Sequence, residues 1–392
     1  MKLKAMLLLL LWSLLLVLPA AGTAAGTDPP APDFEIKAQA ALLMETNSGK
    51  IIWEHNSREK LYPASLTKIM SLLIVMEQLA AGKVSLDDQV RVSARASSMG
   101  GSELFLSEGD VVSLENLLIG MAVGSANDAA VAVAEHVAGS VEGFVELMNE
   151  KARSLGMEQT HFCNPHGLHD PDHYSSAYDV MLMSLALLEY PQIHKWTTIW
   201  MDEHFLQGQI RAGEVFLSNT NRMIVDYPGC DGLKTGFTRE AGNGISATAR
   251  RGNTRLLAVV LGADTPKDRY DTARALLDYG FNNFKSVPVI KKGTEVARLT
   301  VDKGSPPEVP VIAARNLSLL LPQGAAEDYA EEVELYEFAL PLQEHEKVGE
   351  LKVRYGEGEE AAVDLVVSQE VRRASLITMF QRLLFRWLRF GR

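Results

Sequence analysis

The order of strand-like and helix-like patterns leaves this chain few possible folds. Apolar segments at 40–45 and 50–54 flank Thr46-Asn47-Ser48-Gly49, and this arrangement predicts a β-hairpin near the start. Helical periodicity then dominates to about residue 226. Strand-like patterns return at 232–238, 244–250 and 255–262. We therefore expect an α+β domain whose sheet joins segments distant in sequence, with a helical lobe beside it.

The first predicted helix follows Pro63 and ends near Gly82. Its apolar positions recur at helical spacing and are Ile69, Leu72, Leu73, Met76 and Leu79. Further helices are predicted at 113–123, 128–138, 141–155, 178–188 and 268–280. The last of these is amphipathic, so we expect it to pack on the sheet.

A serine and a lysine lie three residues apart at the head of the first helix. Ser65 and Lys68 would stand one turn apart on the same face, so the lysine amine can reach the serine hydroxyl and act as its base. Unpaired N–H groups of the first turn would favour a developing oxyanion. The tetrad alone is a weak signal, and Ser57-Arg58-Glu59-Lys60 repeats it in a polar segment without an apolar helix behind it.

Two other short motifs can complete a site around Ser65. Ser125 and Asn127 lie at a predicted helix entrance, where a hydroxyl can relay a proton and an amide can orient a lysine. Lys234-Thr235-Gly236 lies on a predicted strand, where the lysine supplies positive potential and Gly236 leaves room for a substrate backbone. Each motif also has an ordinary explanation, because Ser and Asn cap helices and lysine-glycine strand ends are common at surfaces.

The N-terminal segment predicts export. Met1-Lys2-Leu3-Lys4 is basic, the run from Ala5 to Leu18 is apolar, and small residues extend to Ala25. This pattern is typical of a secretory signal peptide, placed at residues 1–25, and the apolar run is short for a membrane span. An uncleaved membrane anchor is the alternative. The mature protein is expected to work outside the cytoplasm.

Length and composition suit two domains and a sizeable core, with 392 residues of which 47% are hydrophobic. The net charge of −12 argues against nucleic acid as a partner. We place the first domain at 26–284 and a second at 285–370, where apolar and polar residues alternate between Gly and Pro clusters. The second domain is predicted to be a small β-sandwich with a spacer or interaction role.

Residues 371–392 predict a basic amphipathic helix. One helical stripe carries Leu376, Phe380, Leu383, Leu384 and Trp387, and another carries Arg382, Arg386 and Arg389. Such a helix suits a membrane interface, where arginines meet anionic head groups and aromatic rings sink among acyl chains. The arginines interrupt it too often for a membrane span. A terminal helix docked on its own protein or on a second subunit is the alternative.

The two cysteines, Cys163 and Cys230, are too few for a disulfide framework even in an exported chain. Two buried free thiols are the expected state, while a pairing between them stays open.

Three motifs together, Ser65-x-x-Lys68, Ser125-x-Asn127 and Lys234-Thr235-Gly236, make the chain resemble the low-molecular-mass penicillin-binding proteins, specifically the serine-type D-alanyl-D-alanine carboxypeptidases. The resemblance covers nearly the whole chain and includes the segments 162–168 and 231–236. It implies a β-lactamase/transpeptidase-like α+β domain with an antiparallel sheet and a helical lobe, followed by a β-rich domain and an amphipathic anchor.

The resemblance implies catalytic roles for four residues. Ser65 would be the nucleophile that forms the acyl-enzyme, and Lys68 would accept its proton. Ser125 would relay a proton and Asn127 would supply an orienting amide. Neither a metal nor a cofactor is required by this chemistry.

The resemblance also implies how substrate is bound. Lys234, Thr235 and Gly236 would contact the substrate, and the backbone N–H groups of Ser65 and Phe237 would form the oxyanion hole. Arg269 matches, by spacing, an arginine that receives the terminal carboxylate. Some family members have histidine where this chain has Phe237, which bears on the rate of deacylation.

A histidine-rich segment also looks like a metal site, because His166, His169 and His173 lie among Asp170 and Asp172. Prolines make this segment a rigid loop, and the resemblance explains it as an element at the edge of the cleft.

The predicted activity is removal of the terminal D-alanine from peptidoglycan stem peptides ending in D-Ala-D-Ala, at the extracytoplasmic face of a bacterial membrane. A β-lactam would enter the same cleft and stall as an acyl-enzyme. Two alternatives remain at this stage. A β-lactamase would share the machinery, although the Glu-x-x-Leu-Asn signature associated with class A enzymes is absent. A catalytically idle cell-wall binding or scaffold protein would not need Ser65, Lys68, Ser125 and Lys234 together.

Overall fold

The computed structural model describes residues 32–356 and 358–382. The predicted signal peptide and the tail beyond residue 382 lie outside these residues. The first domain contains nine strands, which are β1 Ala40–Glu45, β2 Lys50–His55, β3 Gln89–Arg91, β4 Val111–Ser113, β5 Met201–Phe205, β6 Val215–Ser218, β7 Cys230–Thr238, β8 Gly242–Arg251 and β9 Thr254–Ala263, all within the described ranges. Its helices are α1 Thr67–Ala80, α2 Ala94–Ser97, α3 Leu114–Ile119, α4 Asn127–Ala138, α5 Val141–Ser154, α6 Ala177–Leu188, α7 Ile193–Thr197, α8 Met223–Asp226 and α9 Pro266–Asn283.

The main sheet joins the two ends of this domain, as the pattern order predicts. Its strand order is β2-β1-β9-β8-β7, and every neighbouring pair is antiparallel. Strand β1 is buried along its whole length because its alternate side chains face two different cores. Ala41 and Leu43 pack on the side of α9, whereas Leu42 packs on the side of α1 and the helical lobe. The predicted α+β class is confirmed.

Two small two-stranded sheets inside the helical region were not predicted. Strand β3 pairs with β4, and β5 pairs with β6. Three of these strands have only three or four residues, and β5 is exposed except at Phe205, so none shows a clear apolar alternation. The predicted helix at 113–123 is also corrected, since α3 ends at Ile119 and Gly120–Gly124 form a π-helical turn.

The second domain begins structurally where α9 ends. Its strands are β10 Phe284–Ile290, β11 Glu295–Thr300, β12 Gly304–Ser305, β13 Glu308–Ala313, β14 Leu317–Pro322, β15 Tyr329–Leu335, β16 Lys347–Tyr355, β17 Glu359–Val367 and β18 Arg372–Arg373. A five-stranded sheet, β11-β13-β17-β16-β15, and the β10-β14 pair share one core that includes Val309, Leu319 and Leu365. The alternation of apolar and polar residues in these strands supplies that core.

The start of the C-terminal tail is helical over residues 376–382. Leu376, Ile377 and Phe380 are exposed by 85%, 72% and 66%. Arg382 donates a 2.7 Å hydrogen bond to the carbonyl oxygen of Gly304 in the second domain. Within the described ranges, no helix combines the length and apolar character needed to cross a membrane.

Candidate active site

Ser65 lies in a single 3-10 turn, Ala64–Leu66, that leads into α1. Ala64 has a φ of +46°, a left-handed conformation that an L-residue rarely adopts, and it is buried. Strand β7 passes directly beside this turn. A Cβ added to Gly236 would lie 3.0 Å from the Pro63 oxygen and 3.1 Å from the Ser65 nitrogen, so glycine allows the strand to approach the nucleophile.

Lys68 makes three short contacts from the first turn of α1. Its Nζ lies 3.2 Å from Ser65 Oγ, 2.7 Å from Asn127 Oδ1 and 2.7 Å from the carbonyl oxygen of His166. The amide and carbonyl oxygens can only accept hydrogen bonds. A neutral amine has two hydrogens for these two acceptors, and its lone pair is then left for the Ser65 hydroxyl.

The surroundings of Lys68 favour this neutral form. The side chain is completely buried, and desolvation, together with the charge of Lys234, holds its pKa well below the usual 10.5. The carboxylate of Asp128 opposes this shift without cancelling it. The shift is in the direction that a general base for Ser65 needs, because it favours the neutral amine.

Asn127 is held from both sides. Its Nδ2 donates 2.7 Å to the Gly100 oxygen, which turns Oδ1 toward Lys68, and its N–H donates to the Ser102 oxygen. Next to it, the buried carboxylate of Asp128 accepts the N–H groups of Leu104 and Leu106 at 3.0 and 3.1 Å. The loop before β4 is thus fastened to the start of α4.

Ser125 ends the π-helical turn in a left-handed conformation, with φ +64° and ψ +28°. It is buried, and no hydrogen bond of its hydroxyl occurs within the described residues. Ser125 lies two residues before Asn127 in the sequence, and Asn127 Oδ1 contacts Lys68. The structure therefore does not join Ser125 directly to Lys68, in contrast to Asn127.

Two cations, Lys234 and Arg269, are buried close together beside β7. Desolvation and the charge of Arg269 lower the pKa of Lys234 to about 7. Lys234 Nζ donates only to the neighbouring Thr235 oxygen, at 3.0 Å, among the described residues. Arg269 reaches the Gly236 oxygen at 3.4 Å, and its Nε has no partner in this part of the chain. Buried cations that have no carboxylate partner among the described residues suit an anionic ligand.

Thr235 and Phe237 occupy the outer end of β7, which is the edge of the main sheet in the described residues. Thr235 Oγ1 donates to Thr220 Oγ1 at 2.7 Å, and the Phe237 side chain is 63% exposed. An unpaired strand edge presents backbone groups that can bind an extended peptide.

The histidine-rich loop supports the site through its backbone. Besides the His166 oxygen on Lys68, the Pro165 oxygen accepts from Ser71 Oγ at 2.6 Å. Burial lowers the pKa of His166 to about 3 and that of His173 to about 4. Within the described ranges, no group of three or more histidine, cysteine or acidic side chains is placed to hold a metal ion.

Both cysteines are free thiols. Cys230 is buried as predicted, but Cys163 is only partly buried, so the prediction of two buried thiols was wrong for that residue. Burial raises the pKa of each to about 11, which keeps both thiols protonated.

Several contributors to the site were not predicted. The His166 oxygen and Thr220 act through contacts between distant segments, for which a single sequence gives no signal. Asp128 was available as an acidic residue directly after Asn127, but its capture of the loop amides depends on tertiary structure.

The assembled groups are those that nucleophilic acyl transfer needs: a hydroxyl, a buried amine beside it, and cations next to an open strand edge. The chain belongs to the D-alanyl-D-alanine carboxypeptidase family, whose sequence model matches residues 24–265. The model for the C-terminal domain of penicillin-binding protein 5 matches residues 284–373. The predicted family, fold class and enzyme class, a serine-type D-Ala-D-Ala carboxypeptidase, are confirmed.

Related proteins are similar to this chain in sequence and structure over most of its length. D-alanyl-D-alanine carboxypeptidase DacF of Bacillus subtilis (strain 168) is 40% identical over 357 residues, covering 90% of this chain and 91% of that protein. Penicillin-binding protein 5 from Haemophilus influenzae is 32% identical, with a TM-score of 0.71 over 89% of this chain and all of the other. Penicillin-binding protein D2 from Listeria monocytogenes, in its ampicillin-bound form, is 29% identical, with a TM-score of 0.55 over 64% of this chain and all of the other.

Proposed function

We propose that this protein removes the terminal D-alanine from peptidoglycan stem peptides ending in D-Ala-D-Ala, through an acyl-enzyme on Ser65. The observation that carries the proposal is the set of contacts of Lys68. If the amine is neutral, its two hydrogens are donated to Asn127 Oδ1 and the His166 oxygen, and its lone pair can accept the proton of the Ser65 hydroxyl. The family membership and the absence of the Glu-x-x-Leu-Asn signature favour this activity over β-lactam hydrolysis.

In the first step Lys68 takes the proton of the Ser65 hydroxyl, and Oγ attacks the carbonyl carbon of the penultimate D-alanine. Ser125 passes a proton from the lysine to the leaving amine, and the bond to the terminal D-alanine breaks. The N–H groups of Ser65 and Phe237 receive the oxyanion, since Gly236 holds β7 against the Ser65 turn. Water then attacks the acyl carbon, with Lys68 again as the base, and releases the shortened peptide.

Binding of the substrate uses the two buried cations and the strand edge. Arg269 and Lys234 bind the terminal carboxylate of the substrate. Its negative charge would offset the positive charge of these two buried side chains. The peptide backbone lies along Thr235, Gly236 and Phe237 as an added strand. A β-lactam carries a carboxylate and a reactive carbonyl at a similar separation, so it acylates Ser65 in the same cleft.

The test measures D-alanine release from a peptide ending in D-Ala-D-Ala, together with labelling by a fluorescent penicillin. Wild type is expected to do both, and Ser65→Ala neither. Ser57→Ala is the matched control, because Ser57 heads the other Ser-x-x-Lys tetrad and instead donates to Glu54. It should retain both activities. A wild type that takes no label and releases nothing would contradict the proposal, and rapid turnover of penicillin with an inert peptide would indicate a β-lactamase.

We further propose that the chain is exported by residues 1–25 and that residues 371–392 bind a membrane surface. The exposed Leu376, Ile377 and Phe380 support the second part, whereas the Arg382 contact with Gly304 supports docking on the second domain. The 285–370 domain would then be a spacer between the membrane and the 26–284 catalytic domain.

Deletion after Glu370 should abolish binding to anionic phospholipid vesicles and leave penicillin labelling intact. Unchanged vesicle binding would contradict the anchor.

A further inference from the structure

A buried hydrogen-bond chain connects the histidine-rich loop to the residue before Ser65. The N–H of Cys163 donates to His173 Nδ1 at 3.0 Å, and His173 Nε2 lies 2.8 Å from Thr67 Oγ1. Thr67 Oγ1 in turn donates to the Ala64 oxygen at 2.8 Å. Thr67 and His173 are almost completely buried. The chain therefore ends on the backbone carbonyl of Ala64.

The direction of each bond follows from the groups involved. A backbone N–H can only donate, so His173 Nδ1 is the acceptor and the neutral ring carries its hydrogen on Nε2. That hydrogen points to Thr67 Oγ1, which leaves the threonine hydroxyl hydrogen for the Ala64 oxygen. Burial lowers the pKa of His173 to about 4, so the ring remains neutral near pH 7. Every donor in the chain has an acceptor.

Ala64 needs such support because its φ of +46° is unfavourable for alanine. The surrounding backbone fits tightly around it. A Cβ on Gly167 would lie 1.9 Å from the Ala64 oxygen, and one on Gly236 would lie 3.2 Å from the Ala64 Cβ. If Ala64 relaxed to an ordinary conformation, the N–H and Oγ of Ser65 would move relative to Lys68 and β7.

We propose that His173, acting through Thr67, is a positioning residue that holds the Ala64–Ser65 turn in its reactive geometry. Neither side chain has to touch the substrate. The inference rests on the proposed acylation of Ser65 and adds to it a requirement for two residues whose identity the three motifs do not specify. It also assigns a purpose to the histidine-rich loop, since the same loop provides the His166 oxygen for Lys68.

The test compares the rate constant of acylation by a penicillin, and kcat and KM for the D-Ala-D-Ala peptide. His173→Leu and Thr67→Val should each lower acylation and kcat about 10- to 100-fold with KM little changed, because small misplacements of reacting groups have effects of this size. Thr67→Ser keeps the hydroxyl and should restore the wild-type rate. The double variant His173→Leu/Thr67→Val should be no slower than the worse single variant, since both interrupt one chain.

Thr254→Val is the matched control for stability. Thr254 Oγ1 accepts a 2.9 Å hydrogen bond from the N–H of Ser286, so this variant makes the same substitution and also removes a buried hydrogen bond, without touching Ala64 or the histidine-rich loop. It should lower the melting temperature about as much as Thr67→Val and acylate like wild type. If His173→Leu does not fold, the Thr67→Val and Thr67→Ser pair carries the test.

The inference would be overturned if folded Thr67→Val acylated at the wild-type rate, or if Thr67→Ser were as slow as Thr67→Val. A wild type that takes no penicillin label would instead overturn the proposed function. The two failures are thereby distinguished.

Discussion

Two lysines of the first domain and two lysines of the second lie in opposite environments. In the first domain Lys68 and Lys234 are buried, and neither has a carboxylate at hydrogen-bond distance among the described residues. In the second domain Lys347 lies 2.6 Å from Glu350 and 2.7 Å from Asp364, and Lys352 lies 2.6 Å from Glu334. These second-domain lysines are at the surface.

The pKa values move in opposite directions as a result. Desolvation lowers the pKa of Lys68 and Lys234. The hydrogen bonds that Lys347 and Lys352 donate to Asp364 and Glu334, respectively, raise the pKa of these two lysines. A buried amine without a counter-ion lowers the stability of the fold, and such arrangements are typical of functional sites. The comparison thus distinguishes Lys68 and Lys234, whose burial suits a role in the active site, from Lys347 and Lys352, which form ion pairs at the surface.

Replacing Lys68 should have the greatest effect. Lys68→Met removes the proposed base and should lower acylation by a penicillin about a thousandfold or more. Lys352→Met is the matched control in the second domain and should acylate at the wild-type rate. Stopped-flow acylation measures both, with circular dichroism as the check on folding. A Lys68→Met protein that acylates like the control would show that the buried amine is not the base.

Lys234→Met should lower kcat/KM for the D-Ala-D-Ala peptide about 10- to 100-fold, because a charged hydrogen bond to the terminal carboxylate is lost. The loss should be much smaller for the same peptide with a C-terminal carboxamide, which offers no negative charge. An equal loss for both peptides would argue that Lys234 acts on the chemical step and not on the carboxylate.

The pH profile of kcat/KM should also identify the two lysines. The rate should fall at low pH as Lys68 gains a proton, and fall above about pH 7 as Lys234 loses one. Lys234→Met should remove the alkaline limb and move the acid limb to higher pH, because the charge of Lys234 no longer lowers the pKa of Lys68. An alkaline limb that persists in this variant would have to belong to another group.

Stability should depend on pH through the same side chain. The pKa of Lys234 is about 7 in the folded protein and 10.5 ordinarily, so between these values the unfolded chain binds more protons. Wild-type stability should therefore gain from rising pH across this window, and Lys234→Met should lose the part of that gain that comes from Lys234, while the part from Lys68 remains. The variant should melt at a higher temperature than wild type at pH 7, with the difference shrinking toward pH 10. A difference independent of pH would show that Lys234 is charged in both states.

The smallest effects are expected at the surface of the second domain. Lys347→Met removes exposed ion pairs to Glu350 and Asp364, which solvent and salt already screen. Neither penicillin acylation nor the melting temperature should change measurably, at low or at high salt. A clear loss of stability would mean that these pairs are more strongly coupled than their exposure indicates.

The parts of the fold and of the site that depend on local residue spacing could be predicted from the sequence. Ser65 and Lys68 lie one turn apart because the helical period requires it, and the hairpins flanking Gly49 and Gly252 follow from turn residues. The positive φ of Ala64 could not be predicted, because alanine rarely adopts it and the close approach of two distant glycines, Gly167 and Gly236, is visible only in the folded structure. The His166 oxygen could not be predicted either, since every residue carries a carbonyl and only tertiary structure selects one. The roles assigned to the nine site residues remain proposals.

Selective observation of the Lys68 side-chain nitrogen by NMR would test whether a neutral amine stands beside Ser65. Its resonance is identified by its loss in Lys68→Met, and the resonance of Lys352 serves as the exposed reference. We expect the Lys68 signal to titrate well below pH 10.5 and at lower pH than the Lys352 signal, because Lys68 is buried and Lys352 is paired with Glu334 at the surface. A Lys68 signal that titrates together with Lys352 would mean that the lysine is charged beside Ser65, and the proposed base would be wrong.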